Sequence, residues 1–471
     1  MLLELPTDIF FEYILTQIDV ASLVRLSAVS NHFYALVNDE YVWRKLCFRD
    51  FNLSPDNAFR QTGWKRLYRL LSHPRVYVWG ENFDGRLGLD EDDMSEGEEI
   101  ARSNMFRTII RNPRGRTIRH QNRHGHQVAL PEELRYLHDK SIVDIVSGGW
   151  SFHALDKDGF IWFWGSMQQD LTPRQSVGVK RIKKPQKLRL PDPNIRFSSV
   201  SSGRRHAIGL CKDGSVYHWT NCERIQKIDL PALEVAQVTA NWEHSSILTK
   251  DGQIFSIPRP DFIIPSRVNE EVPPTMIDNE LGVNFQSLLV DRHVFESPIQ
   301  DEHDKFVQIA GILGQTIALT KNGRVLKLST EDLAAFSTNP TQHTIELARF
   351  SSKGNNKFVA GNHHSFGVCT SDGKVLLGHA DAQKDTPPTT FDEFNGHNVC
   401  KMSFGDYHCG AITTEGKLFT WGRCDAKALG HGFEVNSLEK PKIVEGLNDK
   451  FVFAIGFGGW QSSVLAIDLN E

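Results

Sequence analysis

Over most of the chain, apolar and polar residues alternate in short runs, and the runs are punctuated by Asp-Gly, Asn-Gly or Glu-Gly pairs. Six stretches repeat one order of parts: an apolar run, a Gly-rich loop, a second short apolar run, the turn pair, and an alternating run. They end at Gly165, Thr220, Ile257, Leu328, His379 and Gly422. Alternation at every second position marks a strand with one buried face. A Gly after Asp or Asn supplies the positive φ that a tight hairpin turn requires. Gly159, Gly214, Gly252, Gly323, Gly373 and Gly416 hold that place, at spacings of 55, 38, 71, 50 and 43 residues. Such spacings suit one small antiparallel sheet per repeat with loops of unequal length, and sheets of this kind arranged radially form a β-propeller. Phe451–Leu469 carries only the first half of the pattern, and Val76–Gly80 (VYVWG) only the second half. Joined, they complete a seventh sheet and shut the ring, which removes the open strand edges of a linear array. The expected fold is therefore mainly β, a seven-bladed propeller over residues 75–471 closed by pairing of its N- and C-terminal strands.

The first fifty residues follow a different period. Thr7 is placed to cap a helix bearing Ile9, Phe10, Tyr13 and Ile14. Asp19 is placed to cap a second with Leu23, Val24 and Leu26, and Ser30 a third with Phe33, Ala35, Leu36 and Val37. A piece of this size buries too little surface to stand alone, so it is expected to lean on the rest of the chain or on another protein. Residues 51–74 include the amphipathic run Thr62–Leu71, which reads as a helical connector to the propeller.

Composition narrows the function classes. With 40% hydrophobic and 24% charged residues, the 471-residue chain has the make-up of a globular protein. A net charge of −5 argues against a protein that coats nucleic acid. Seven cysteines, none in a Cys-x-x-Cys pair, point to a reducing compartment, cytoplasm or nucleus. The start, MLLELPTDIFFEY, lacks a basic leader, and no apolar run reaches membrane-spanning length, so no membrane is expected. There is no Walker loop, G-x-S-x-G, H-E-x-x-H or G-x-G-x-x-G, and no cysteine in an activating context, so no catalytic residue, metal or cofactor is assigned.

Two resemblances follow from these residues. The WG-(x)n-G-x-LG and G-x-x-H-(x)n-DG-x-V-y-x-W pattern is similar to the regulator of chromosome condensation repeat, over roughly Arg75–Ile467. The likeness is strongest in Arg75–Leu89 and Val399–Gly430 and weakest around Phe255–Phe306, read as an irregular insertion. Residues 1–50 resemble an F-box through Leu5-Pro6, Ile9, Leu15, the Asp19…Leu23 turn, Val29-Ser30 and Trp43. Together they resemble fungal proteins of the SCF-associated-factor type. That resemblance implies a non-catalytic substrate receptor of a Skp-cullin-F-box ubiquitin ligase. Leu5, Pro6, Ile9, Leu15, Leu23, Leu26 and Val29 would face the Skp-type adaptor, and through it a cullin. The propeller would hold a protein destined for ubiquitination and proteasomal degradation. Two alternatives are a guanine-nucleotide exchange factor for a small GTPase, the founding role of the repeat family, and an F-box scaffold acting outside a ligase. A light sensor of the plant ultraviolet-B type is set aside, because Trp150 and Trp242 fall in non-neighbouring repeats.

The Gly-rich loops are expected on one face of the ring, where Trp150, Arg204, Arg205, Trp242, His363, His364, Tyr407 and Trp460 form a candidate substrate-binding rim. The repeated His206, His244 and His408 are read instead as internal hydrogen-bonding groups. An insertion at about 90–140 opens with an acidic block and a basic block between Asp90 and His126, which read as a solvated loop. Its Ser95 is a candidate phosphorylation site, and its His120, His124 and His126 lack zinc-site partners.

Overall fold

The computed structural model describes residues 6–51, 53, 63–82, 85–89, 109–111, 117–119, 127–167, 182–190, 192–221, 224–230, 233–258, 280–282, 284–288, 293–295, 304–330, 343–423 and 426–470. Leu5, Ser95, His120, His124 and His126 lie outside them. Of the insertion's charged blocks, only a hairpin pairing Ile109–Arg111 with Thr117–Arg119 is described.

Seven sheets, each built on a run of antiparallel strands, form a propeller. In the first blade, Ile142–Ser147, Ser151–Asp156, Ile161–Gly165 and Ile182–Arg189 lie side by side in chain order. The second to sixth blades begin at Phe197, Val235, Phe306, Asn356 and Val399 and follow the same order. The fifth has three strands, extended by an isolated bridge between Leu377 and Thr389. The seventh blade joins the chain's two ends. Lys450–Gly458 and Gln461–Asp468 come from the C-terminal part, Arg75–Glu81 and Gln127–Glu133 from the N-terminal part. Arg75 faces Ala466 and Gly80 faces Gln461 in antiparallel register. Buried Phe457 meets Trp79 edge-on across this joint, with ring centroids 5.8 Å apart. The Trp79 indole donates to Ala428 O at 2.8 Å and so ties the seventh blade to the sixth.

The segment read as an irregular insertion is partly strand. Glu280–Gly282 pairs in parallel with the outer strand of the first blade, and Asn284–Leu288 with that of the second, while His293–Phe295 completes the third. The inner strands enclose a channel of about 670 Å³. Its polar lining clips blade to blade. Ala240 N donates to Ser201 Oγ (2.9 Å), Val359 N to Gln308 Oε1 (3.0 Å) and Phe457 N to Ser403 Oγ (2.9 Å).

Ahead of the propeller, Thr7–Ile9 runs into a wider helical turn, Phe10–Leu15, followed by helices Val20–Ser27, Asn31–Val37, Glu40–Asp50 and Trp64–Leu71. Asp19 and Ser30 cap their helices by accepting from Ser22 N (2.9 Å) and Phe33 N (3.3 Å). Thr7 does not cap: Pro6 occupies the N-cap position, with no side-chain bond. The helices share one continuous apolar core with the seventh, first and second blades, running from Phe10, Leu15 and Leu23 through Trp43, Trp64 and Leu71 to Val76 and Ile145. Polar contacts reinforce it. Tyr68 OH donates to Asp50 Oδ2 (2.6 Å) and accepts from Lys157 Nζ (2.7 Å), and Arg66 donates to Leu469 O (2.9 Å). Lys157 belongs to the Asp-Gly turn of the first blade. Gln17, Asp19 and Arg49 face the turn Lys212–Ser215 of the second across a cleft of about 1050 Å³. The helices therefore sit on the face of the ring that carries the Asp-Gly turns, opposite the Gly-rich loops.

Candidate interaction surfaces

The helical segment presents apolar side chains to solvent. Ile9 is 38% exposed and Val29 69%, Pro6 is exposed and Leu26 half-buried. Leu15 and Leu23 are fully buried, turned inward by the amphipathic period of their helices. They shape the exposed face from beneath and touch nothing outside the chain. Tyr13 (74% exposed), Val24 and Tyr34 add to the apolar surface. Tyr13 follows Ile9 by four residues, a spacing that signals a shared helical face. Glu12 holds this first segment against the Glu40–Asp50 helix through the Tyr41 hydroxyl and Lys45.

On the opposite face the Gly-rich loops are linked by backbone hydrogen bonds that run from blade to blade. Gly149 N donates to Arg204 O (3.3 Å), Arg204 N to Trp242 O (3.1 Å), Trp242 N to Ile312 O (3.4 Å), Leu313 N to His363 O (2.6 Å) and Asp406 N to Gly459 O (3.0 Å). Side chains stack above this belt. The Arg204 guanidinium lies 5.3 Å from the Trp150 ring and 5.4 Å from that of Trp242. Trp242 stacks on His363 at 4.1 Å, and His363 meets His364 at 3.8 Å and Tyr407 at 6.5 Å. The rim residues singled out in the sequence thus gather on one face, with different exposures. Tyr407 (64%) and Trp460 (39%) stand out into solvent. Trp150, Arg204, Arg205, His363 and His364 are half-buried. Trp242 is buried, so it supports the row rather than contacting a partner. His363 holds a left-handed backbone (φ 47°) that side chains other than Gly rarely adopt. Burial, His364 and Arg204 push its pKa down to about 4.

The repeated histidines work inside the ring. His206 Nε2 donates to His244 O (2.8 Å), while His244 Nε2 pairs with Thr330 Oγ1 (2.5 Å) and His408 Nε2 with Ser462 Oγ (2.9 Å). His153 accepts from the Trp219 indole at Nε2 (3.2 Å), so its Nδ1 carries the proton and donates to Ser202 Oγ (2.8 Å). Burial holds the pKa of His153 at about 3 and those of His244 and His408 at about 4.

Burial raises the thiols of Cys211 and Cys409 to about 12, the reverse of an activated nucleophile. Among the described residues no His, Cys, Asp and Glu group could hold a metal, and no helix is long and apolar enough to cross a membrane.

Residues 2–49 match the F-box-like family and residues 415–465 the regulator of chromosome condensation (RCC1) repeat. The chain is 22% identical over 426 residues to Protein pim1 of Schizosaccharomyces pombe, covering 84% of this chain and 65% of that protein. It is 23% identical over 304 residues to SCF-associated factor 1 of Saccharomyces cerevisiae, covering 58% and 43%. It thus spans less than two thirds of the length of either relative. Prp20p from Saccharomyces cerevisiae shares the fold, with a TM-score of 0.57 at 16% identity over 87% of this chain and 95% of that one.

Proposed function

Because this chain joins an F-box-like helical segment to an RCC1-type seven-bladed propeller, we propose that it is the substrate-recognition subunit of a Skp-cullin-F-box ubiquitin ligase. In this reading the exposed helical face, with Pro6, Ile9, Leu26 and Val29, docks on a Skp-type adaptor in the cytoplasm or nucleus, and through it on a cullin. Leu5 joins that face as an expectation from the motif. The loop face holds the protein to be ubiquitinated and sent for degradation. The observation that carries the reading is the placement of the two surfaces on opposite faces of a body in which the helices share an apolar core with the adjoining blades. Such a body holds a bound protein at a fixed distance from the adaptor, and its contribution to ubiquitin transfer is proximity rather than chemistry. The test is turnover: deleting the chain should stabilise a set of proteins, and a version carrying Ile9→Asp/Val29→Asp on the exposed helical face should capture some of that set without restoring their degradation. Failure of the two sets to overlap would refute it.

A second reading, nucleotide exchange on a small GTPase, is the role that the resemblance to the RCC1 repeat family implies, and residues 415–465 match that repeat. A nucleotide-release assay with purified chain decides it. Release no faster than the spontaneous rate excludes exchange.

A further inference from the structure

We infer that the axial channel of the propeller is a binding site for a small organic oxyanion, a carboxylate or a phosphate ester, held between the hydroxyls of Ser201, Ser202 and Thr239 and the ammonium groups of Lys357 and Lys401. The inference does not depend on the ligase reading. At about 670 Å³ the channel has the volume of a small-molecule site. All seven inner strands contribute to its wall, and Leu53, just beyond the Glu40–Asp50 helix, lines it as well. Among the described residues its charged lining is Lys357, Lys401 and Asp144, two cations against one anion. Val146, Phe358, Met402 and Ile455 give the wall apolar stretches that suit a carbon body.

The hydroxyls are set up as donors. A hydroxyl has one hydrogen to give and an oxygen that accepts. In three lining residues that oxygen is already engaged. Ser201 Oγ accepts from Ala240 N (2.9 Å), Thr239 Oγ1 from Gly311 N (3.1 Å) and Ser202 Oγ from His153 Nδ1 (2.8 Å). The oxygens thus hold neighbouring blades together. Among the described residues none of the three hydroxyls donates to a protein acceptor, so their hydrogens are the groups available to a ligand. They belong to the second and third blades. In a ring of seven these lie across the axis from the fifth and sixth, which carry Lys357 and Lys401. An ammonium has three hydrogens, so each lysine can serve the protein and a ligand at once. Burial lowers the pKa of Lys401, and the Asp144 carboxylate opposes that shift only in part. An anion beside the amine favours its charged form. Donors on both sides of the axis and a surplus of positive charge select an oxyanion and repel a cation.

The test is isothermal titration of the full chain at neutral pH and constant ionic strength with citrate, glycerol 3-phosphate, glycerol and choline. Citrate or glycerol 3-phosphate should give a saturable heat, and the tighter of the two identifies the preferred group. Glycerol and choline should give none. Lys357→Glu and the double variant Lys357→Gln/Lys401→Gln should each weaken the binding about tenfold or more, because each removes a charge-assisted hydrogen bond. Lys357 is exposed, so Lys357→Glu leaves the fold intact and decides the matter even where the double variant melts early. A channel that holds only water gives no saturable heat with either anion, and that result would overturn the assignment. So would equal affinity for glycerol and glycerol 3-phosphate, or anion binding that is unchanged in Lys357→Glu and in the double variant.

Discussion

Acid should loosen the propeller through its buried histidines, and the effect can be assigned to a single residue. His408 is sealed between the sixth and seventh blades, where its Nε2 meets Ser462 Oγ at 2.9 Å and its ring packs 5.1 Å from that of Phe457. Its pKa falls to about 4 in the fold because burial penalises the charged imidazolium, against roughly 6.5 in the unfolded chain. The folded pKa is depressed, so the unfolded state binds more protons in between. Stability is therefore complete above about pH 6.5 and is lost progressively as pH falls toward 4. At pH 5 the loss is about 2 kcal/mol for this residue, from 1.36 kcal/mol per pKa unit over the titrated part of the interval. His244 is in the same position, with a pKa of about 4. The perturbation is His408→Gln, which keeps a donor near Ser462 and removes the titration. Urea unfolding of both proteins at pH 7.5 and 5.0 isolates the term, since every other ionisable group is shared. The wild type should lose about 2 kcal/mol more than the variant between the two pH values. Equal losses would show that His408 is not a buried neutral group and would refute the reasoning.

The remaining predictions concern the joints. Phe457→Ala should cost about 3–5 kcal/mol, because it empties a buried site between Trp79 and His408; a change under about 1 kcal/mol in chemical denaturation would mean the seventh blade does not lock the ring. Truncation after Lys450 removes most of the innermost strand and all of its partner from that blade, and should leave no cooperative thermal transition; a melting temperature equal to the intact chain would contradict closure. Tyr68→Phe removes the hydroxyl shared by Asp50 and Lys157 and should cost about 1–3 kcal/mol, with faster amide exchange in both the helices and the first-blade turn. A fragment of residues 1–50 should show no cooperative unfolding by circular dichroism, because Trp43 and Leu46 share a core with Trp64, Leu67 and Leu71.

The turn glycines and the alternating strands after them carry a local signal, and the blades they predict are present. So is the seventh blade, inferred from two complementary halves at distant places in the chain. Local chemistry also identifies the caps at Asp19 and Ser30. It misplaces the cap at Thr7, since proline before it already takes the N-cap position. The strands at 280–288 are not legible because they pair in parallel with strands far earlier in the chain, and parallel pairing has no turn signature. Exposure is legible only in part. Periodicity groups Leu15 and Leu23 with Ile9 and Val29 as apolar positions. It does not say that the first pair is covered by neighbouring helices while the second is bare. In the same way a tryptophan in a Gly-rich loop reads as exposed, and Trp242 is buried because Arg204 and His363, from two other blades, cover its ring.

The central claim is a division of labour between two faces, and adaptor affinity tests it most directly. Isothermal titration of a purified Skp-type adaptor into the full chain should give tight binding that Ile9→Asp/Val29→Asp abolishes and Tyr407→Ala/Trp460→Ala leaves unchanged, with all three proteins melting alike. Adaptor binding that survives the helical-face change, or that disappears with the loop-face change, would contradict the account.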